Sequence, residues 1–184
     1  QSDFKTALAF AVTDSFGNAR YDFYKSHFEG LLHIPEVSSG DIVHLSSFFS
    51  ISEEAQKSRE TLLAAIKKSG ALLTYDPNVR HSLTLSQKNA AFEILDAALV
   101  CKTSLEDAEM LCGFNNLDAV FDFFADFALS ITIITDGSNG IYGLKRGEKK
   151  PVFVPARRVN VCDTIGAGDA TNAAMLSFFA HNED

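Results

Sequence analysis

Two periodicities divide this chain. Over Thr6 to Thr13 the bulky residues Leu8, Phe10 and Val12 alternate with Ala7, Ala9 and Ala11, which predicts a strand with one large and one small face. Asp14-Ser15-Phe16-Gly17-Asn18 reads as a turn, and Ala19 to Tyr24 as the returning strand of a hairpin. Glu29 to Gly40 is polar, contains Gly, Pro and Ser, and marks a boundary between subregions. From Asp41 the pattern becomes strand, helix, strand. Strands are expected at Ile42–Leu45, Ala71–Tyr75, Ala98–Cys101 and Ile131–Thr135. Helices are expected at Glu53–Ser69, with Leu62 and Ile66 on one face and Gly70 as its stop, and at Ser86–Ala97. Further helices fall near Leu105–Leu111, Leu117–Phe127 and Ala170 to about Ala180. Near-continuous apolar strands separated by helices predict an α/β fold, its mainly parallel sheet covered on both faces.

Ligands of such sheets gather beyond the carboxyl ends of the strands. The unusual polar residues fall there, after Tyr75, Cys101, Ile134 and Val161. The last group is the most informative. Asp163-Thr164-Ile165-Gly166-Ala167-Gly168-Asp169 is a glycine-spaced turn that ends on a carboxylate and opens an apolar, Ala-rich helix. A helix start presents backbone N–H groups without intrahelical partners, and its dipole favours negative charge. Two glycines admit an anion close to that backbone, and Asp169 sets a proton acceptor beside it. An anion cradle with a base is the equipment of phosphoryl transfer to a hydroxyl. By itself the stretch is also accounted for by a helix cap and a tight turn. Two other phosphate motifs are absent. Thr171 stands where the dinucleotide fingerprint needs a third glycine, and no G-x-x-x-x-G-K-[ST] occurs.

Composition narrows the partners. The 184 residues carry a net charge of −8 with no large basic cluster, which argues against nucleic acid or an anionic membrane as the main partner. An anionic nucleotide therefore needs local cradling. Cys101, Cys112 and Cys162 are odd in number and lack CxxC spacing, so neither a disulfide framework nor a zinc site is expected. With no apolar run of spanning length and no leader-like start, the expected location is the cytoplasm. His44 inside a strand is expected to be a hydrogen-bonded core residue. Phe121, Phe123, Phe124 and Phe127 are expected as core and helix surface.

The run Asp163–Asp169, with Ala170 and Ala173-Ala174 following, resembles the C-terminal signature of the pfkB (ribokinase-like) carbohydrate kinases. That resemblance implies a three-layer α/β/α fold with a mainly parallel sheet and a small β lid. It implies Asp169 as catalytic base and Gly166, Ala167 and Gly168 as the anion hole. The chain departs from the family at Thr171 and Ala173, where Phe and Gly are common; both changes concern helix packing more than chemistry.

The resemblance extends along nearly the whole chain. Thr135-Asp136-Gly137-Ser138-Asn139-Gly140 is similar to the family's strand-end turn that borders the nucleotide, which implies roles for Thr135, Gly137 and Gly140; a plain hairpin turn into Ile141–Leu144 is the other reading. Lys102 to Glu109 resembles the segment that positions magnesium and phosphates. Lys102 and Ser104 are then expected on the nucleotide side and Asp107, in place of the usual Glu, at the metal through water. A capping box of Ser104 with Asp107 is compatible with that role. Asp76-Pro77-Asn78-Val79-Arg80 looks like the Asp-Pro-Asn-x-Arg of fructokinase-like members, which implies Asn78 and Arg80 near sugar or phosphate; a Pro-Asn turn is the plain alternative. The opening hairpin resembles the lid strands over the sugar, with Lys25 in a position that is often basic.

Together these imply a lid part in residues 1–25 and an α/β kinase core in residues 26–184. They imply ATP and Mg2+, a small sugar substrate (fructose or a related ketose or keto-sugar acid) and a homodimer through the lid. The alternatives are a non-catalytic sugar- or nucleotide-binding relative and a nucleoside kinase of the same fold. The chain is shorter than family members usually are. It lacks their N-terminal Gly-Gly region and the last helices beside adenine, so a fragment with an exposed sheet edge and weak stability is expected.

Overall fold

The computed structural model describes residues 8–13, 19–24, 33–79 and 81–181. Contacts divide the chain into two units, residues 31–157 and the combination of residues 1–30 with 158–184.

The larger unit is built on a six-stranded sheet. Its strands are β3 (Ile42–Ser46), β4 (Leu72–Asp76), β5 (Val100–Ser104), β6 (Ile131–Asp136), β7 (Gly140–Lys145) and β8 (Val152–Pro155). They lie side by side in chain order. From β3 to β6 all pairs are parallel, and β7 and β8 add antiparallel pairs at one end. Parallel neighbours cannot be joined by a tight turn, so each junction takes a crossover. Helix α1 (Gln56–Ser69) joins β3 to β4, α2 (Leu85–Ala97) joins β4 to β5, and α3 (Leu105–Cys112) with α4 (Leu117–Ala125) joins β5 to β6. The expected α/β class with a mainly parallel sheet is what the chain adopts.

Each helix end has a local cause. Gly70 and Gly113 take left-handed conformations after α1 and α3, and their N–H groups close on the Ile66 and Glu109 carbonyls. Thr84 and Gln87 form a reciprocal capping box at the start of α2. Helix α1 begins at Gln56 rather than Glu53, because the Ser52 hydroxyl accepts from the Ala55 N–H and folds residues 52–55 into a turn.

Consecutive residues are buried along Leu73–Asp76 and Val100–Thr103. Successive side chains of a strand point to opposite faces, so both faces of the central strands are covered. Leu73, Tyr75 and Cys101 join Ile94, Leu95, Leu111, Val120 and Phe124 in one apolar cluster. Phe121 and Phe127 are buried in it and Phe123 packs against its edge, as the pattern suggested. His44 is half-buried, with its Nδ1 2.8 Å from the Thr74 hydroxyl.

In the other unit, β1 (Leu8–Thr13) and β2 (Ala19–Tyr24) form an antiparallel ribbon with Leu8 opposite Tyr24 and Thr13 opposite Ala19. The Phe10 and Tyr24 rings meet edge to face at 5.6 Å. Leu8, Phe10 and Val12, the large face expected from the alternation, are all exposed. Helix α5 (Ala167–His181) starts at Ala167 rather than Ala170.

Gly140, first residue of β7, has φ 139°, and a Cβ there would collide with the Val154 carbonyl oxygen of β8. Gly143, in the same strand, has nothing within 4 Å of its Cβ position. Chemical denaturation should therefore separate them. Gly140→Ala should lose about 1–3 kcal/mol, and Gly143→Ala should stay within about 0.5 kcal/mol of the parent. Equal effects would contradict this packing.

Candidate active site

The carboxyl ends of β4, β5 and β6 carry most of the polar residues singled out from sequence. Tyr75 pairs with Cys101, and continuing that parallel register by one residue sets Asp76 opposite Lys102. The Lys102 Nζ lies 2.9 Å from Asp76 Oδ2, with both side chains only 5% exposed. The sequence reading placed Lys102 on the nucleotide side; the structure gives its ammonium an internal carboxylate partner. On the opposite face of the sheet, burial above all pushes the Cys101 thiol far up from its ordinary pKa, with the Asp76 charge adding to it. Burial likewise pushes the Tyr75 phenol up, followed by the influence of Cys101.

Past Asp76 the chain turns. Pro77 and Val79 are buried, and Asn78 between them adopts φ 47°. Asparagine tolerates this left-handed region better than most residues. Arg80 and Lys25 lie outside the described residues.

At the end of β5, Ser104 caps α3. Its hydroxyl accepts from the Asp107 N–H at 3.0 Å, and Asp107 stands half-buried in the first turn of that helix. At the end of β6, the Thr135 hydroxyl donates to the Thr103 carbonyl at 3.4 Å, which ties two strand ends together. The turn after β6 is closed by Asn139, whose N–H and side-chain amide both reach Asp136 at 2.9 Å. Gly137 and Gly140 supply its positive φ values. The hairpin into β7 is thus real, and it leaves Thr135, Gly137 and Gly140 at the rim of the strand ends.

The remaining candidates belong to the other unit. Gly166 has φ 79°, and its carbonyl accepts from the Ala170 N–H at 2.8 Å, closing the first turn of α5. Asp163 Oδ1 accepts from the Ile165 N–H at 3.0 Å and shapes the turn. The Ala167 N–H donates to the Thr164 carbonyl at 3.2 Å, so one amide of the expected anion hole is used within the turn. Gly168 and Asp169 occupy the next helical positions, whose N–H groups have no acceptor within the helix. Residues 163–170 are exposed throughout, including the Asp169 carboxylate. A solvent-facing helix start with an acid in its first turn can hold an anion and take a proton beside it.

Magnesium held mainly by nucleotide phosphates asks for only one or two carboxylates, through water. Asp107 is one half-buried carboxylate at this edge. Among the described residues no three His, Cys, Asp or Glu side chains gather into a cage for a tightly held ion.

Sequence reasoning missed two features here. One is the Asp76–Lys102 pair, joined across 26 positions. The other follows β3, where Ser47 takes φ 82° and opens a 3₁₀ helix, Phe48–Ile51. The serine pair Ser46-Ser47 after an apolar strand was the available signal. A cavity of about 230 Å³ opens there, walled by Ile34, Leu45, Phe49 and Leu62. The nearby Arg59 is occupied by the Ser50 and Ser52 carbonyls and by Glu93.

Residues 5–184 match the model of the pfkB family carbohydrate kinases. The chain is 29% identical over 183 residues to fructokinase-1 of Oryza sativa subsp. japonica, covering 94% of this chain and 56% of that protein. It is 32% identical over 187 residues to probable fructokinase-4 of Arabidopsis thaliana, covering 94% of this chain and 55% of that one. The crystal structure of a fructokinase from Xylella fastidiosa with bound ATP superposes with a TM-score of 0.80 at 25% identity, over 99% of this chain and 59% of that one. The chain therefore spans little more than half the length of these relatives.

The three thiols should differ sharply toward an alkylating reagent at mildly alkaline pH. Cys162 is exposed, Cys112 half-buried and Cys101 fully buried with its thiol held neutral. Mass spectrometry should find Cys162 modified first and Cys101 only under denaturing conditions. Early modification of Cys101 would contradict the packing behind the Asp76–Lys102 pair.

Proposed function

The chain belongs to the pfkB family of carbohydrate kinases, and on that footing we propose that the whole protein transfers the γ-phosphoryl group of ATP to a primary hydroxyl of a small sugar, fructose or a related ketose or keto-sugar acid. The observation that carries this reading is the start of α5, where an exposed left-handed glycine turn leads to an acid in the first helical turn.

Asp169 accepts the proton of the attacking hydroxyl, a contribution typically of ~10²–10⁴ in rate. The amides of Gly166, Gly168 and Asp169 face the charge that spreads over the moving phosphoryl group, while the Ala167 N–H, expected among them, stays on the Thr164 carbonyl and shapes the turn. Removing one such donor typically costs about 10²–10³. Thr135, Gly137 and Gly140 line the nucleotide side, with Ser104 at the phosphates. Asn78 and Arg80 hold the sugar or the transferred group, where a guanidinium stabilises developing charge; Lys25 approaches the sugar from the lid. Asp107 would hold magnesium through water, and that ion would neutralise phosphate charge. The lid ribbon, with its exposed apolar face, pairs with a second copy in a homodimer.

Asp169→Asn in the full-length protein tests the assignment. Asparagine keeps the size and much of the hydrogen bonding of aspartate, so melting temperature and ATP affinity should stay near the parent values. Sugar-dependent ADP release should fall by on the order of 10² or more. Undiminished turnover would remove Asp169 from the chemistry. A substrate panel read by the same assay should give fructose or another small keto sugar the highest kcat/KM. Preference for adenosine or another riboside would overturn the sugar class.

A further inference from the structure

Resting on the sugar-kinase reading, we propose that Asp76 and Lys102 form a positioning clamp. It holds the turn Pro77-Asn78-Val79 and the cap of α3 in one fixed register for phosphoryl transfer. Several observations converge on this. The pair is short, 2.9 Å, and both side chains are 5% exposed, so neither group stands open to a ligand from solvent. A buried ion pair is a poor stability device, because apolar residues of similar volume often serve as well or better. Its placement therefore needs another reason.

That place is the ligand edge of the sheet. Asp76 is the last residue of β4 and leads directly into the turn that carries Asn78. The turn is pinned at its far side by buried Val79, so its near side is set at Asp76. Lys102 lies two residues before Ser104, whose hydroxyl caps α3 on the Asp107 N–H. Between them, the Thr103 carbonyl takes the Thr135 hydroxyl from β6. The ion pair thus ties the end of β4, past the last ladder pair Tyr75–Cys101, to β5, and the β5–β6 ladder through Ser104 and Thr135 carries that tie on: the sugar side at Asn78, the phosphate side at Ser104 and Asp107, and the nucleotide side at Thr135. Lys102 serves the nucleotide side through this geometry, without touching the nucleotide. A misplacement of about 1 Å at such a site can lower turnover by roughly 10².

The test compares Lys102→Met with the neutral double variant Asp76→Asn/Lys102→Met in the full-length protein. Three readouts are needed: melting temperature, amide hydrogen exchange at Asn78–Val79 and Ser104–Asp107, and kcat against KM. The single variant takes the ammonium away from a buried carboxylate and should lose stability. The double variant should regain most of it, yet exchange faster in both segments together. Its kcat should remain roughly 10–10² below the parent, with KM little changed. Recovery of kcat and of exchange protection along with stability would make the pair merely structural and overturn the clamp. So would loosening confined to one segment. If that double variant does not fold, Asp76→Leu/Lys102→Met is read by the same criteria, and failure of both to fold also overturns the clamp. A parent protein without sugar-dependent ADP release would sink the sugar-kinase reading alone, because the exchange data decide the clamp without turnover.

Discussion

Parallel pairing from β3 to β6 is the constraint from which the rest of the larger unit follows. It demands a crossover at each junction, so helices must intervene and cover the sheet. It also collects the carboxyl ends of the strands on one edge. Asp76, Ser104 and Asp136 are the last residues of three adjacent strands for that reason. The turn with Asn78, the capped start of α3 and the glycine turn after β6 are neighbours because of topology, although they are far apart in the chain.

Charge makes this edge possible. Strands β4 and β5 run one and three residues past the points where their apolar runs stop, to Asp76 and to Ser104. The pattern of hydrophobic positions ended them at Tyr75 and Cys101, since Asp and Lys-Thr-Ser read as loop. Their mutual ion pair lets both polar residues continue the strands in a buried setting. An unpaired charge at either place would be strongly destabilising. The result is that β4 and β5 stay extended as far as Asp76 and Ser104.

The sequence made the order and type of the central elements legible because they have strong periodicity and clear stops, such as Gly70 and the Thr84 box. Three things were not legible. Strand β8, Val152–Pro155, is short and exposed along its whole length, so it carries no burial pattern of its own. The 3₁₀ helix at Phe48–Ile51 depends on a positive φ at Ser47, a residue with no special licence for it. The Asp76–Lys102 contact depends on strand order, which no local pattern encodes. At the candidate site, by contrast, the glycine turn and acid of α5 were visible at once, since their chemistry lies in contiguous residues. The use of the Ala167 amide inside that turn was not, because it depends on how the backbone folds between Thr164 and Gly168.

The central claim is that main-chain amides at the start of α5 grip the phosphoryl group in flight while Asp169 holds the acceptor hydroxyl. The most direct measurement is the change in amide nitrogen and proton shifts of the full-length protein on binding ADP with aluminium fluoride, a mimic of the moving phosphoryl group, with and without sugar. Gly168 and Asp169 should show the largest shifts, and only when sugar is also present. Shifts that bypass residues 166–169, or that are the same without sugar, would contradict it.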